Sequence, residues 1–168
     1  MGFIFQVGIR MSITAMKRVL RYDPDTGEFW RTADAPANVA GKPANAKDRL
    51  GYVCFRVNGK MYKAHRLAWA FVHGEFPDGD IDHINGNPSD NRICNLRLAS
   101  HSLNLQNQRR AKSNNSTGLL GVCPNGSGWR AEIRVNGKKV NLGTHKTPEL
   151  AHVAYVEAKR KYHEGCTL

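Results

Sequence analysis

Two Asn-Gly dipeptides constrain the fold of this chain more than any other feature. Asn58-Gly59 and Asn136-Gly137 each stand between short runs in which apolar and polar residues alternate. Asn-Gly is the preferred centre of a two-residue hairpin loop, because both positions must adopt positive φ. The chain therefore contains at least two antiparallel hairpins. The sequence around the two turns differs too much for them to be copies of one repeat.

Helical patterns alternate with these predicted strands, so the predicted fold class is α+β. Apolar spacing predicts helices over 12–20, 65–73 and 100–110. A fourth helix is capped by Thr147, begins at Pro148 and carries one apolar stripe. The stripe consists of Ala151, Ala154, Tyr155, Ala158 and Tyr162. Alternation and turn signals predict strands over 28–31, 52–57, 80–84, 95–98, 121–123, 129–135 and 138–142.

The charge of the chain favours a polyanionic partner. Lys and Arg number 25 against 14 for Asp and Glu, giving a formal net charge of +11. The excess is larger after residue 100, where 11 basic residues face 4 acidic ones. Nucleic acid is the commonest partner of such a balance. No run approaches the roughly 20 apolar residues of a membrane-spanning helix, so we expect no membrane association. The cysteine pattern is typical of an intracellular protein, and we expect it in the cytoplasm of a bacterial or phage-infected host.

A polar, basic segment suggests two domains. Residues 111–116 are predicted to be a linker between a domain at 12–110 and a second domain at 117–168. Residues 1–11 are predicted to be an N-terminal extension, and Met11 is an alternative start. The cysteines at 54, 94, 123 and 166 form no C-x-x-C pair, and are expected to be reduced, partly buried thiols.

Three remote polar residues form the strongest chemical signal. Asp82 and His83 end a predicted strand, and Asn104 lies on the helix that follows the next strand. A carboxylate and an amide carbonyl are the hard oxygen ligands that Mg²⁺, or another divalent cation, prefers. Neighbouring strand residues point to opposite faces, so His83 would face away from Asp82 and could take a proton from water.

Residues 65–110 resemble HNH endonucleases of the phage and intron homing type, which have the ββα-metal fold. The resemblance rests on Asp82-His83, the segments 84–87 and 94–97, Asn91 and Asn104. It implies that His83 is the general base, that Asn95 braces the loop and orients the base, and that Asp82 and Asn104 hold the metal. The last family histidine is replaced by Asn104, giving an H-N-N variant.

Other residues around the motif leave alternatives open. His101 lies three residues from the ligand position and is an alternative ligand. His65 is either a phosphate contact or a satisfied histidine at a helix end, and Arg66 and Arg97 are similarly ambiguous. The segment 22–27 also resembles the lead-in of these enzymes.

Residues 117–165 resemble the ethylene-response-factor (Apetala-two type) DNA-binding domain, a three-stranded antiparallel sheet packed on one helix. The matching segments are 121–122, 129–134, 142–144, 148–151 and 154–155. The resemblance implies that the sheet lies in the major groove. Alternation puts Arg130, Glu132 and Arg134 on the outer face and Ala131, Ile133 and Val135 towards the helix. The candidate DNA-binding residues are Trp129, Arg130, Arg134, Lys138 and Lys139, whereas Cys123 and Asn141 replace a usual Arg and a usual Trp.

The sequence thus predicts a monomeric, metal-dependent endonuclease of double-stranded DNA, from a phage or mobile element. Two alternatives remain. One is a DNA-binding transcriptional regulator with an inactive nuclease module. The other is a nuclease directed by DNA structure or by RNA.

Overall fold

The computed structural model describes residues 11–111 and 114–167. Predicted features at 1–10 and 112–113 lie outside the described residues. The helices are α1 (Ile13–Val19), α2 (Ala64–His73), α3 (His101–Gln106) and α4 (Pro148–Tyr162). The strands are β1 (Leu20–Tyr22), β2 (Phe29–Arg31), β3 (Cys54–Val57), β4 (Lys60–Lys63), β5 (Asp80–His83), β6 (Leu96–Ala99), β7 (Val122–Asn125), β8 (Gly128–Val135) and β9 (Lys138–His145). Mixed helices and small antiparallel sheets confirm the predicted fold class.

The chain divides into two compact units at places other than the predicted linker. The first unit contains residues up to His83 and Asn87–Arg97, and the second contains Ile84–Gly86 and Leu98–Leu168. The division therefore falls within β6, before the 111–116 segment. As a result α3 belongs to the same unit as the C-terminal sheet, whereas the predicted domains assign it to the nuclease module.

The first unit is built from hairpins around α1 and α2. The predicted turn at Asn58-Gly59 forms, with φ of 46° and 75°, and joins β3 to β4 in antiparallel register. Helix α2 follows β4 at once and ends at Gly74, which has the left-handed conformation of a helix C-cap. Met16 and Leu67 are buried in one apolar cluster with Ile81 of β5. This cluster fixes the strand that carries Asp82 and His83.

Two predicted boundaries around β6 and α3 need correction. Asn95 lies in a short 3-10 turn, Ile93–Asn95, rather than in the strand. The reason is that its N–H donates to the carbonyl of Arg92, which closes the turn before β6 begins. Helix α3 has the predicted N-cap, Ser100, but ends at Gln106 instead of 110. Asn107 is its C-cap and its side chain is buried.

The second unit contains the antiparallel sheet β7-β8-β9 and α4. Val122, Ala131 and Ala151 form its apolar cluster, which joins the sheet to α4. The Asn136-Gly137 turn has φ of 48° and 78°, as predicted. The predicted α4 stripe is wrong at its end, because Tyr162 is 45% exposed. Lys159 lies in the basic last turn of α4, and its side chain is buried.

Two further expectations concern the surface of the chain. Among the described residues, no helix is long and apolar enough to cross a membrane. The four cysteines are free, as predicted. Cys94 is exposed rather than partly buried, because it lies in the short turn that precedes β6.

Candidate active site

Strand β5 places Asp82 and His83 at its end, and each is only 5% exposed. Their side chains have different partners, as expected for neighbouring strand residues. The Oδ2 atom of Asp82 accepts hydrogen bonds from Arg97 Nε at 2.9 Å and from an Arg97 terminal nitrogen at 2.8 Å. This ion pair resolves the open role of Arg97: it balances and orients the carboxylate.

His83 is held by an asparagine that also belongs to the quoted motif. His83 Nε2 lies 3.3 Å from Asn91 Oδ1, and Asn91 is only 2% exposed. The side-chain amide of Asn91 donates to the backbone carbonyl of Ser89. The backbone carbonyl of Asn91 accepts a hydrogen bond from the Tyr22 hydroxyl at 2.7 Å. Burial raises the pKa of Tyr22, so the hydroxyl stays protonated as a donor. Hydrogen bonds thus fix both the side chain and the backbone of the residue that contacts His83.

Asn95 contacts the loop that carries Asn91, at the preceding residue, Asp90. Its Nδ2 donates to the carbonyl of Asp90 at 2.8 Å, and the side chain is buried. Asp90 in turn pairs with Arg92, whose terminal nitrogen lies 2.6 Å from Asp90 Oδ2. This is the loop that Asn95 is predicted to brace. The route from Asn95 to the base through Asp90 and Asn91 was not foreseen from the sequence.

A small aromatic cluster surrounds the other side of His83. The ring of His65, on α2, meets the His83 ring edge-on, with centroids 5.1 Å apart. Tyr52 lies 5.4 Å from His65 and 5.9 Å from His83, measured between ring centroids. His65 is 8% exposed, and its Nδ1 has no hydrogen-bond partner among the described residues. The expectation of a satisfied helix-end histidine is therefore wrong.

Burial keeps both imidazoles of this cluster neutral. Desolvation lowers the pKa of His65 to about 3. Desolvation also lowers the pKa of His83, opposed by its hydrogen bond with Asn91 and by the negative charge of Asp82. An unprotonated His83 near neutral pH is the form that a general base requires. Tyr52 precedes β3 and is distant in sequence from both histidines. Nothing in the local sequence pattern therefore marks it as a member of this cluster.

The donor chemistry of the predicted metal ligands fits a hard divalent cation. Asp82 supplies a carboxylate and Asn104 an amide carbonyl. Asn104 is half-buried on α3 and belongs to the second unit, and His101, the alternative ligand, is exposed at the start of the same helix. Among the described residues, no group of three or more His, Cys, Asp or Glu forms a metal cluster. A site of this chemistry would therefore depend on asparagine and water as well as carboxylate.

The outer face of the C-terminal sheet carries three of the five predicted DNA-binding residues, Arg130, Arg134 and Lys139, whereas Lys138 is paired with Val135 of the opposite face. Glu132 lies between two of them, at 3.4 Å from an Arg130 terminal nitrogen and 3.1 Å from Lys139 Nζ. Arg134 and Lys138 are exposed near the Asn136-Gly137 turn. Trp129, the fifth predicted DNA-binding residue, is half-buried and packs against the apolar cluster. Strand alternation explains its position, since Trp129 shares the inner face with Ala131.

Arg66 has a structural role in the first unit. Its guanidinium donates to the carbonyls of Pro77 and Gly79, at 2.7 and 2.9 Å, and so fixes the connection from α2 to β5. It is thereby committed to the backbone just before the strand of Asp82 and His83.

Comparison with known proteins identifies a family for this chain. A family model described as HNH endonuclease matches residues 62–106. Protein 3.8 of Escherichia phage T7 is 35% identical over 112 residues, which are 63% of this chain and 90% of that protein. The solved structure of the HNH homing endonuclease I-HmuI aligns with 87% of this chain and 88% of its own, at 18% identity and a TM-score of 0.40. The chain belongs to the family of phage T7 Protein 3.8, and its residues 62–106 are an HNH endonuclease domain.

Proposed function

We propose that this protein is a magnesium-dependent endonuclease of double-stranded DNA, acting as a monomer and of the phage or mobile-element homing type. The observation that carries the proposal is His83, a buried neutral imidazole beside Asp82 within the HNH domain. The net charge of +11 supports DNA as the substrate.

The proposed chemistry assigns one proton transfer to the chain. A nitrogen of His83 takes a proton from the attacking water. The oxygen of that water bonds to phosphorus as the bond between phosphorus and the 3′ oxygen breaks. Asn91 orients the ring, and Asn95 holds the loop that carries Asn91. Asp82 and Asn104 would hold Mg²⁺ or another divalent cation, which when bound supplies positive charge at the phosphate. Arg97 fixes the carboxylate of Asp82.

A second candidate is a DNA-binding regulator with a silent nuclease module. The ion pair favours it, because Arg97 already donates two hydrogen bonds to Oδ2, one of the two Asp82 oxygens that could bind a metal. A carboxylate held by a guanidinium is a weaker ligand unless the pair rearranges.

Metal-dependent cleavage distinguishes the two candidates. Supercoiled plasmid and genomic DNA should be nicked or cut with Mg²⁺, and chelator should abolish the reaction until Mg²⁺ is restored. Asp82→Asn should lower the rate by at least about 10²-fold. Asp80→Asn, an exposed carboxylate on the same strand, is the matched control and should cut normally. Tight binding of uncut DNA by the wild type would favour the regulator, and full activity of Asp82→Asn would contradict the proposed ligand.

We also propose that the C-terminal domain, 117–168, is an ethylene-response-factor-like module that anchors the enzyme on DNA. Arg130, Arg134, Lys138 and Lys139 would contact mainly phosphates. Trp129, packed on the core, would support the sheet from behind rather than contact bases.

The shared partner of Arg130 and Lys139 gives a prediction for DNA affinity. Glu132→Gln removes the carboxylate between two cations, so binding should tighten several-fold at about 0.1 M salt and depend more steeply on salt. Fluorescence anisotropy with a duplex measures both quantities. Glu149→Gln, exposed in the first turn of α4, changes the net charge equally and should have little effect. Equal effects of the two variants would remove the sheet from the interface.

A further inference from the structure

The last part of the segment after α4, residues 165–167, is attached to the backbone around the HNH motif, whereas His163 Nε2 lies 2.9 Å from the carbonyl oxygen of Arg134 in β8. Thr167 Oγ1 lies 2.6 Å from the carbonyl oxygen of Ile84 and 2.6 Å from Asn107 Oδ1. An Arg109 terminal nitrogen donates to the Thr167 carbonyl at 2.7 Å and to the Ile84 carbonyl at 3.2 Å. Ile84 directly follows His83 in the chain, and Asn107 caps α3. Thr167 therefore joins two pieces of the motif that are 23 residues apart.

Gly165 makes a close backbone approach to α3. Its N–H donates to Gln106 Oε1 at 3.1 Å. A Cβ at this position would lie 2.6 Å from the Leu103 carbonyl oxygen and 3.0 Å from the Cβ of Gln106. Because the first neighbour is backbone, it cannot move aside without shifting α3 itself. The residue flanking Asn104 is thus in direct contact with this segment.

Lys159 provides an independent attachment just beyond α3. It is only 1% exposed, which is rare for lysine unless its ammonium is paired. Its Nζ donates to the carbonyl of Gln108. The side chain crosses from the last turns of α4 to the residue that follows the α3 cap. Three separate contacts therefore converge on the last residue of the helix of Asn104 and on the two residues that follow it.

The loop after His83 is fitted to the same cluster. Gly86 has φ of +69°, and a Cβ there would lie 2.4 Å from Arg109 Cδ. The Arg109 stem therefore lies directly on Gly86, while its guanidinium bonds Ile84 and Thr167. The loop Ile84–Gly86 and the C-terminal segment therefore share one arginine.

We propose that residues 165–167, with Lys159, are a positioning segment of the HNH motif: they hold α3, and with it Asn104, on the loop Ile84–Gly86. This inference rests on the proposed function for its catalytic consequence. It assigns the segment a part in metal binding and cleavage, beyond the DNA anchoring proposed for residues 117–168.

The test combines one isosteric and one conservative change. Thr167→Val removes the hydroxyl at nearly constant volume, and Thr167→Ser retains it. Hydrogen exchange of the α3 amides, including Asn104 N–H, which bonds the Ser100 carbonyl, should quicken about tenfold in Thr167→Val and return towards the wild-type rate in Thr167→Ser. Gly165→Ala should quicken it as well. Thr14→Val, exposed on α1, is the control.

Two functional readouts separate positioning from a general loss of stability. The Mg²⁺ concentration for half-maximal cleavage, and Mn²⁺ affinity measured by electron paramagnetic resonance, should both weaken several-fold in Thr167→Val while metal-free DNA binding stays unchanged. If the wild type does not cut DNA, the proposed function fails, but exchange at α3 still tests the positioning contact. Wild-type exchange at α3 in both Thr167→Val and Gly165→Ala would overturn the inference.

Discussion

Replacing His83 by alanine should lower the rate of DNA cleavage by about 10²–10⁴-fold, the usual contribution of a general base. The imidazole is buried, neutral near pH 7 and oriented by Asn91. Alanine removes the proton acceptor, so the loss should fall on kcat rather than on KM. Single-turnover cleavage of plasmid DNA, alongside duplex binding by anisotropy, measures the two effects separately.

The controls for His83 come from the other histidines. His73→Ala, at the exposed end of α2, should cut DNA at the wild-type rate. His101→Ala examines the alternative ligand, and should also cut normally if Asn104 is the ligand. His65→Phe keeps an aromatic ring against Tyr52, and its rate would show whether the second imidazole takes part. Normal cleavage by correctly folded His83→Ala would exclude it as the base.

Local features of this fold could be predicted from the sequence. Both Asn-Gly turns have the positive φ that their residue types favour, and Ser100 and Thr147 cap helices as expected. These signals depend on interactions within four residues, which the local sequence determines. The positions of His83 and Asp82 at the end of one strand follow from the same kind of evidence.

The surroundings of His83 could not be predicted in this way. Tyr22 reaches Asn91 across 69 positions in the chain, and Tyr52 reaches His83 across 31. Such contacts depend on how complete elements pack, and no periodicity reports them. The burial of Lys159 is a similar case, because the carbonyl that its ammonium contacts, that of Gln108, lies 51 positions earlier in the chain. Trp129 differs, since strand alternation alone places it on the same face as Ala131.

The β1–β2 turn gives the second large expected effect, on both stability and activity. Gly27 has φ of +76°, and a Cβ there would lie 2.5 Å from the amide nitrogen of Arg92 and 2.6 Å from the carbonyl carbon of Asn91. Both neighbours are backbone, so Gly27→Ala must move the segment that orients His83. We expect it to lower the free energy of unfolding of the first unit by about 3 kcal/mol, through backbone strain and the clash together.

Gly41 provides a matched control for the strain alone. Its φ is +70°, yet a Cβ would meet nothing within 4 Å, so Gly41→Ala should cost only about 1–2 kcal/mol. Urea unfolding in a Trp129→Phe background reports on the first unit, because Trp30 and Trp69 are then the only tryptophans. Under native conditions, Gly27→Ala should also cut DNA more slowly per folded molecule, whereas Gly41→Ala should not. Equal costs and equal rates would mean that the turn is not coupled to Asn91, and that the lead-in stabilises the chain without orienting the base.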